Sequence, residues 1–324
     1  MKAIVHARFG SPDVLEVREV AKPVPGKNEV LIKVRATTVT TAESRMRQGK
    51  PLWGRVVIGL LRPRRRMRTP GTEVAGEIES VGVDVRRFKP GDEVFGFTGF
   101  ALGGHAEYCL MPEQGSLAPK PVNRSFAEAV AAVDGATTAL YFLRDKARVL
   151  VGQRVLVNGA SGGIGTYAVQ LAKHFGAEVT GVCGPGNVEL VRSLGADHVV
   201  DYTKEDFTRH ADTYDVIFDT VGRSSFPRAK PALKKNGRYL STDGLVNVFW
   251  SLWTSARRGK RVVFGMSVGK NEKLAVIKEL IEADELRIVV DREYPFARIA
   301  EAHRHVDTGH KKGNVVVTVD HPAE

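Results

Sequence analysis

A chain of 324 residues, 43% hydrophobic and 26% charged, carries ample apolar material for a packed interior, and its length exceeds what one core usually serves, so two domains are predicted. Only two cysteines occur, Cys109 and Cys183, which excludes a disulfide framework and a four-thiolate zinc lobe. The excess of 48 basic over 37 acidic side chains gives +11 and favours anionic partners: a phosphorylated cofactor, nucleic acid or a membrane surface.

The opening residues, MKAIVHARFG, alternate apolar and polar side chains like a strand and lack the long apolar stretch of a signal peptide or transmembrane helix, so a cytoplasmic protein is expected. Strand-like text continues to about residue 118 in EVLIKVRAT, AGEIESVG, DEVFGFT and HAEYCLM, separated by Gly and Pro signals. One stretch stands apart, because six arginines between Arg55 and Arg68 crowd around the apolar run Val56 to Leu61. It reads as a solvated surface hairpin or insertion, with membrane or nucleic-acid contact as the alternative.

Near Ser125 the spacing becomes helical, in FAEAVAAVDGATTALYFLRDKA, and strands and helices then alternate as a parallel doubly wound sheet requires. The units run strand RVLVNG, helix TYAVQLAKHFG, strand EVTGVC, helix NVELVRSLG, strand HVVDY, strand YDVIFDTVG, helix PRAKPALKKNG and strand GRYLST. Gly176, Gly195 and Gly237 fall where helices should stop. Strand KRVVFGMS, helix NEKLAVIKELIEADE and the closing stretch EAHRHVDTGHKKGNVVVTV follow, with no internal repeat.

The sharpest motif is Ala160-Ser161-Gly162-Gly163-Ile164-Gly165, which joins strand RVLVNG directly to a helix. Glycines there let the backbone turn and a pyrophosphate approach, while the helix N-terminus supplies free N–H groups and a positive dipole end. A short-chain dehydrogenase would carry Tyr and Lys four residues apart, and none of the seven tyrosines has that partner. NAD selection uses an acidic side chain at the end of the second strand of the nucleotide domain. Cys183 stands in that place, so a 2′-phosphate is not repelled and NADPH is favoured, although Gly184-Pro185-Gly186-Asn187 offers no basic side chain.

Taken together, AGEIESVGVDVRRFKPGDEVFG, RVLVNGASGGIGTYAVQLAKHFGAEVTGV, NVELVRSLGADHVVDYT, YDVIFDTVG and GHKKGNVVVTV resemble the zinc-independent quinone oxidoreductase branch of the medium-chain dehydrogenases and reductases. The resemblance covers nearly the whole chain and implies an α/β protein. A GroES-like β-rich catalytic domain (residues 1–124, completed by a return segment 266–324) would accompany a doubly wound Rossmann domain (residues 125–265), the active site lying in a cleft between them. It also implies a homodimer.

The same resemblance implies cofactor contacts at Thr138, at Ala160, Ser161, Gly162, Gly163, Ile164 and Gly165, and at Asn187 and Tyr202 for the adenosine ribose and its phosphate. Val221, Gly244 and Leu245 follow the fourth and fifth strands of the nucleotide domain. Phe264 and Met266 would flank the nicotinamide, with Asn314 near it. Zinc-dependent relatives use a Cys, a His-Glu pair and a later Cys. This chain has Gly71-Thr72-Glu73 where Gly-His-Glu would stand, and Thr40 and Thr41 in the region of the first Cys, so no metal is expected and Glu73 reads as structural.

Without a metal, the protein must place the nicotinamide against an electrophilic carbon, exclude water and stabilise the developing oxyanion, which suits quinones and enones. Thr40, Thr41 and Asp134 are the catalytic candidates, and Glu43, Arg47 and Trp53 the substrate-lining ones. Each has a plainer reading: Thr40 and Thr41 as turn caps, Arg47 as a solvated helix residue, Asp134 as a carboxylate that holds structure together in an apolar helix. Two other functions remain open, a zinc-free alcohol or carbonyl dehydrogenase and a nonenzymatic NADPH-binding adaptor that touches membrane or RNA through Arg55 to Arg68.

Overall fold

A computed structural model describes residues 1–256, 258–267 and 269–321, without the side chain of Leu245. Two compact units emerge, one of Met1–Asp134, Val268–Glu282 and Val289–Glu324, the other of Gly135–Ser267 and Ala283–Ile288.

The first unit is mostly β. Its strands are β1 (Lys2–Val5), β2 (Glu16–Glu19), β3 (Glu29–Thr38), β4 (Glu73–Val81), β5 (Glu93–Phe97), β6 (Tyr108–Pro112) and β7 (Ser116–Pro119). Its helices in this stretch are α1 (Thr41–Arg47), the single turn α2 (Arg55–Ile58) and α3 (Phe126–Ala131). Alternation in EVLIKVRATT places Val30, Ile32 and Val34 on one face of β3, all fully buried. That strand is the hub: β4 runs antiparallel along one edge, while β6 pairs its first half and the C-terminal strand its last residues. The unit extends to Asp134, beyond the expected boundary at residue 124, because α3 buries Ala129, Val130 and Ala131 and packs on β3 and β4. Ser125 and Glu128 form a capping box at its start.

The second unit begins within α4 (Val133–Leu140) and continues through β8 (Arg154–Asn158), α5 (Gly165–His174), β9 (Glu178–Cys183), α6 (Val188–Ser193), β10 (His198–Asp201) and β11 (Tyr214–Asp219). After α7 (Phe226–Ala229) come β12 (Leu233–Ser241), α8 (Leu245–Ser255) and β13 (Arg261–Phe264). The six strands are parallel in the order β10-β9-β8-β11-β12-β13. Chain order therefore reverses between β8 and β11, which opens a crevice at their C-terminal ends. The core is aliphatic and aromatic, with Leu156, Ile217, Phe226 and Tyr239 buried together.

Two local expectations fail here. The helix read in PRAKPALKKNG is only the turn α7, since Pro231 cannot donate to a continuing helix, and β12 starts at Leu233. Gly237 consequently lies inside a strand, in the bulge where register jumps from Leu233 opposite Tyr214 to Arg238 opposite Val216. Helix α8 lies beyond those expectations: LVNVFWSLWTS is strongly apolar and has no charged residue to mark a solvent face.

The chain closes in the first unit with α9 (Asn271–Glu282), β14 (Val290–Pro295), α10 (Ile299–Asp307) and β15 (Asn314–Thr318), the last pairing β3. Among the described residues no helix is long and apolar enough to cross a membrane.

Candidate functional site

In the second unit the crevice is built by two side chains that end neighbouring strands. Asn158 donates from Nδ2 to Asp219 Oδ1 at 3.0 Å. Asp219, buried, also accepts from the amides of Val221, Gly222 and Ser224 and from the Tyr239 hydroxyl at 2.9 Å. One carboxylate thus fixes the loop after β11, and burial together with that carboxylate pushes the Tyr239 phenol far above its usual range. The sequence signal was available, an acid closing the apolar run of YDVIFD, but the strand pattern alone gives it no role.

The glycine loop follows the first strand as expected. Gly159 adopts φ +83°, and its amide and that of Ala160 both donate to Val182 O, at 3.0 and 2.9 Å. A Cβ on Gly165 would lie 2.0 Å from Gly159 O, so only glycine lets α5 start this close to β8. Helix α5 has ten residues, and its N-terminal amides and dipole end form a ready anion site.

Two other predicted cofactor residues, Asn187 and Val221, meet this loop. Asn187 donates from Nδ2 to Ser161 Oγ at 3.0 Å, and its Oδ1 is buried with no hydrogen-bond partner among the described residues. That orphaned acceptor fits a ligand hydroxyl. Tyr202 is exposed with its ring over Gly184, where a Cβ would sit 3.3 Å from the phenol oxygen. Strand β9 ends in Cys183, a buried thiol pushed up to about 11 by burial and then by Asp201, hence neutral near pH 7. Val221 packs beside Gly159. Thr138 is buried on α4, Gly244 (φ +89°) opens α8, Phe264 closes β13 and Met266 is exposed beyond it. The Leu245 side chain lies outside the described residues. Asn314 belongs to the first unit, buried at the start of β15 with its amide on Val289 O at 3.0 Å.

The first unit holds a buried polar cluster around Glu73. Its Oε1 accepts the Asp134 amide at 2.5 Å and its Oε2 the Thr38 hydroxyl. Burial first, and then the like charge of Asp134, lift the Glu73 carboxyl to about 8. Asp134, whose side chain is one-third exposed, meets Lys270 Nζ at 2.5 Å, and the fully buried Lys270 ammonium stands 4.4 Å from the centre of the Phe97 ring. Lys270 carries no sequence signal, since a lysine in SVGKNEK looks like any solvated loop residue.

Glu43 and Arg47 are both buried and held by partners within the protein itself. Glu43 is buried and reciprocates with Thr40 in a capping box, while its other oxygen accepts the Thr72 amide at 2.6 Å and hydroxyl at 2.9 Å. Arg47 is neither solvated nor free: it is 1% exposed, donates to Gly10 O, and pairs with Asp307 at 2.5 Å to hold α1 on α10. The cavity that both line, with His6, Phe9 and Met46 among others, measures about 20 Å³, room for one water and not for an organic substrate. Thr40 spends its hydroxyl on the Glu43 amide, whereas Thr41 and Trp53 are exposed.

Among the described residues no three His, Cys, Asp or Glu side chains converge as metal ligands do. His105 and His303 are buried edge to face at 5.9 Å, and burial holds His303 well below the usual imidazole range.

The Glu73 shift has a measurable consequence. Unfolded, the side chain ionises near 4.5; folded, it keeps its proton to about 8. Between those values the native state binds the extra proton, so the stability this group contributes is complete below 4.5 and is lost as pH rises through 8. Urea unfolding at pH 5, 7 and 9 should show wild type falling progressively relative to Glu73→Gln, with the variant the more stable at pH 9. Parallel pH profiles would contradict a proton held at Glu73.

Comparison with known proteins agrees with this architecture. Residues 26–122 match the family described as "Alcohol dehydrogenase GroES-like domain", and residues 194–317 the family described as "Zinc-binding dehydrogenase". Quinone-oxidoreductase QR1, chloroplastic, of Triphysaria versicolor is 33% identical, the alignment covering 98% of each chain. NADPH-dependent alkenal/one oxidoreductase, chloroplastic, of Arabidopsis thaliana is 32% identical over 98% of this chain and 79% of its own length. The solved quinone oxidoreductase from Coxiella burnetii superposes with a TM-score of 0.88 at 28% identity, over 99% of both chains. A β-rich unit completed by the chain's C-terminal return, a doubly wound unit with its glycine loop at the reversal of strand order, and likeness along the full length lead to one assignment: the chain belongs to the quinone oxidoreductase branch of the medium-chain dehydrogenase/reductase superfamily.

Proposed function

We propose that this protein reduces quinones and α,β-unsaturated carbonyl compounds with NADPH and without zinc. The observation that carries the reading is the glycine loop at the N-terminus of α5, joined by Ser161 to an Asn187 whose buried Oδ1 lacks a partner among the described residues, at a strand end that presents Cys183 and no carboxylate. The names of the relatives, quinone oxidoreductase and NADPH-dependent alkenal/one oxidoreductase, support the same chemistry.

NADPH, when bound, supplies a hydride. The amides of Ala160 to Gly165 would hold its diphosphate, Asn187 and Tyr202 its adenosine ribose and phosphate, and Val221, Gly244 and Leu245 the strands' ends around it. Thr138, Phe264, Met266 and Asn314 would hold and orient the nicotinamide. Thr40, Thr41 and Asp134 are the polar groups proposed to face the substrate. Reduction of a quinone or enone builds negative charge on an oxygen that is already conjugated, so orientation and exclusion of water support the hydride step where an isolated ketone would need a Lewis acid or a positioned proton donor. Independence from zinc is supported by the donor set: Thr72 stands where the histidine ligand would, and both oxygens of Glu73 already accept hydrogen bonds.

Selectivity for the 2′-phosphate can be raised by design. A Cβ on Gly186 would meet nothing within 4 Å, so Gly186→Arg should fold normally and place a cation in the turn after β9. The KM for NADPH should fall about tenfold with that for NADH unchanged. Equal changes for both cofactors would place the phosphate elsewhere.

A homodimer through the exposed edge of β13, the last strand of its sheet, completes the proposal; the neighbouring α8 exposes Val246, Phe249 and Leu252. The functional reading is tested by following NADPH and NADH oxidation against a quinone, an enone, a ketone and an alcohol. Turnover is expected with the first two acceptors and NADPH; tight NADPH binding without turnover of any acceptor would refute it.

A further inference from the structure

Between Glu43 and Glu73 the chain contains no acidic residue. Within that interval Leu52, Trp53, Val56, Val57, Leu60 and Leu61 are each more than half exposed, Leu61 reaching 91%. Arg62, Arg64, Arg65 and Arg66 follow immediately and are exposed too. Six large apolar side chains turned to solvent within ten residues exceed what a monomer ordinarily shows.

The segment is anchored from beneath. Ile58 and Met67 are buried with Leu102 against Phe9 and Met46. Arg55 lies over the Phe9 ring and donates to Gly49 O at 3.0 Å. The Arg64 amide donates to Ile58 O at 2.8 Å, and its guanidinium to Val56 O at 2.9 Å. With its inward side chains fixed, the outward apolar row has no protein surface of the described unit to cover it.

We propose that residues 52–66 form a docking surface for an anionic phospholipid bilayer, with the apolar row entering the boundary between headgroups and acyl chains and the four arginines reaching back to lipid phosphates. The division of labour is that of interfacial segments: aliphatic side chains and a tryptophan on one side, snorkelling cations on the other. A second copy of this chain is disfavoured because a twofold contact would set the arginine cluster of one protomer against its duplicate. Single-stranded RNA is disfavoured because Trp53 is the segment's one aromatic ring, and Leu and Val offer no stacking platform. The proposal stands independently of the substrate reading above.

The test is co-sedimentation of the full chain with vesicles of phosphatidylcholine alone and of phosphatidylcholine with one part in three phosphatidylserine. Binding should be confined to the serine-containing vesicles and weaken with salt. The variant R62Q/R65Q/R66Q should bind them on the order of a hundredfold more weakly, and L60S/L61S about tenfold, with unchanged melting temperatures and NADPH affinity. Phe249→Ser, on the exposed face of α8, should bind like wild type. Equal binding to both vesicle types, no binding to either, full binding by the arginine variant, or loss caused by Phe249→Ser would each overturn the proposal. So would polyuridylate binding that depends on these arginines in a protein that ignores vesicles, or a change of molecular mass by light scattering in L60S/L61S.

Discussion

Gly165→Val should abolish measurable NADPH binding and cost about 3 kcal/mol of stability. The new Cβ would stand 2.0 Å from Gly159 O and 2.8 Å from Ala160 Cα, and both obstacles are backbone that no side-chain rotation can clear. Helix α5 must then move away from β8, and its leading amides with it. Amides drawn away from the diphosphate no longer donate to it, and the charge-assisted hydrogen bonds they would make are lost. Gly186→Ala is the matched control, because its Cβ meets nothing within 4 Å. Titration calorimetry and thermal melts on both variants check the prediction. NADPH affinity in Gly165→Val close to that of wild type would mean that the diphosphate is held elsewhere.

The second large effect is expected at the ion pair of Asp134 and Lys270. Lys270 has no exposed surface, and Asp134 lies 2.5 Å from its ammonium. Asp134→Ala removes a carboxylate that pairs with this buried ammonium and should cost about 3 kcal/mol, whereas removing both charges in D134A/K270M should recover most of the loss. Removing the Asp134 carboxylate also relieves the like charge that helps to raise Glu73, so the pH dependence attributed to Glu73 should flatten in the same variants. Urea unfolding of the two single variants and the double variant forms the cycle. A double variant as unstable as Asp134→Ala would show that the pair is not the source of the loss.

Legibility from sequence followed the range over which each signal acts. Strand, glycine loop and helix from Arg154 to His174 are contiguous, and their chemistry is written in adjacent residues, so the loop and the neutral Cys183 at the end of β9 could be read directly. Glu43 and Arg47 sit in a seven-residue helix too short for periodicity to tell buried from exposed. Their roles are set by Thr72 and Asp307, distant partners that no local pattern reveals. Lys270 is the extreme case, a charged residue in a loop whose burial follows wholly from tertiary packing against Phe97 and Asp134. In residues 52–66 the composition was plain, but whether the apolar row faced inward or outward depended on Ile58 and Met67 taking the inward places.

The central claim is that a dinucleotide held at the start of α5 reduces a conjugated acceptor with no metal taking part. Its most direct test is NADPH-dependent reduction of a quinone by protein whose metal content is measured on the same sample, before and after exhaustive chelation. The account predicts turnover with substoichiometric metal, unchanged by the chelator and missing in Gly165→Val. Turnover that disappears on chelation and returns with zinc would contradict it.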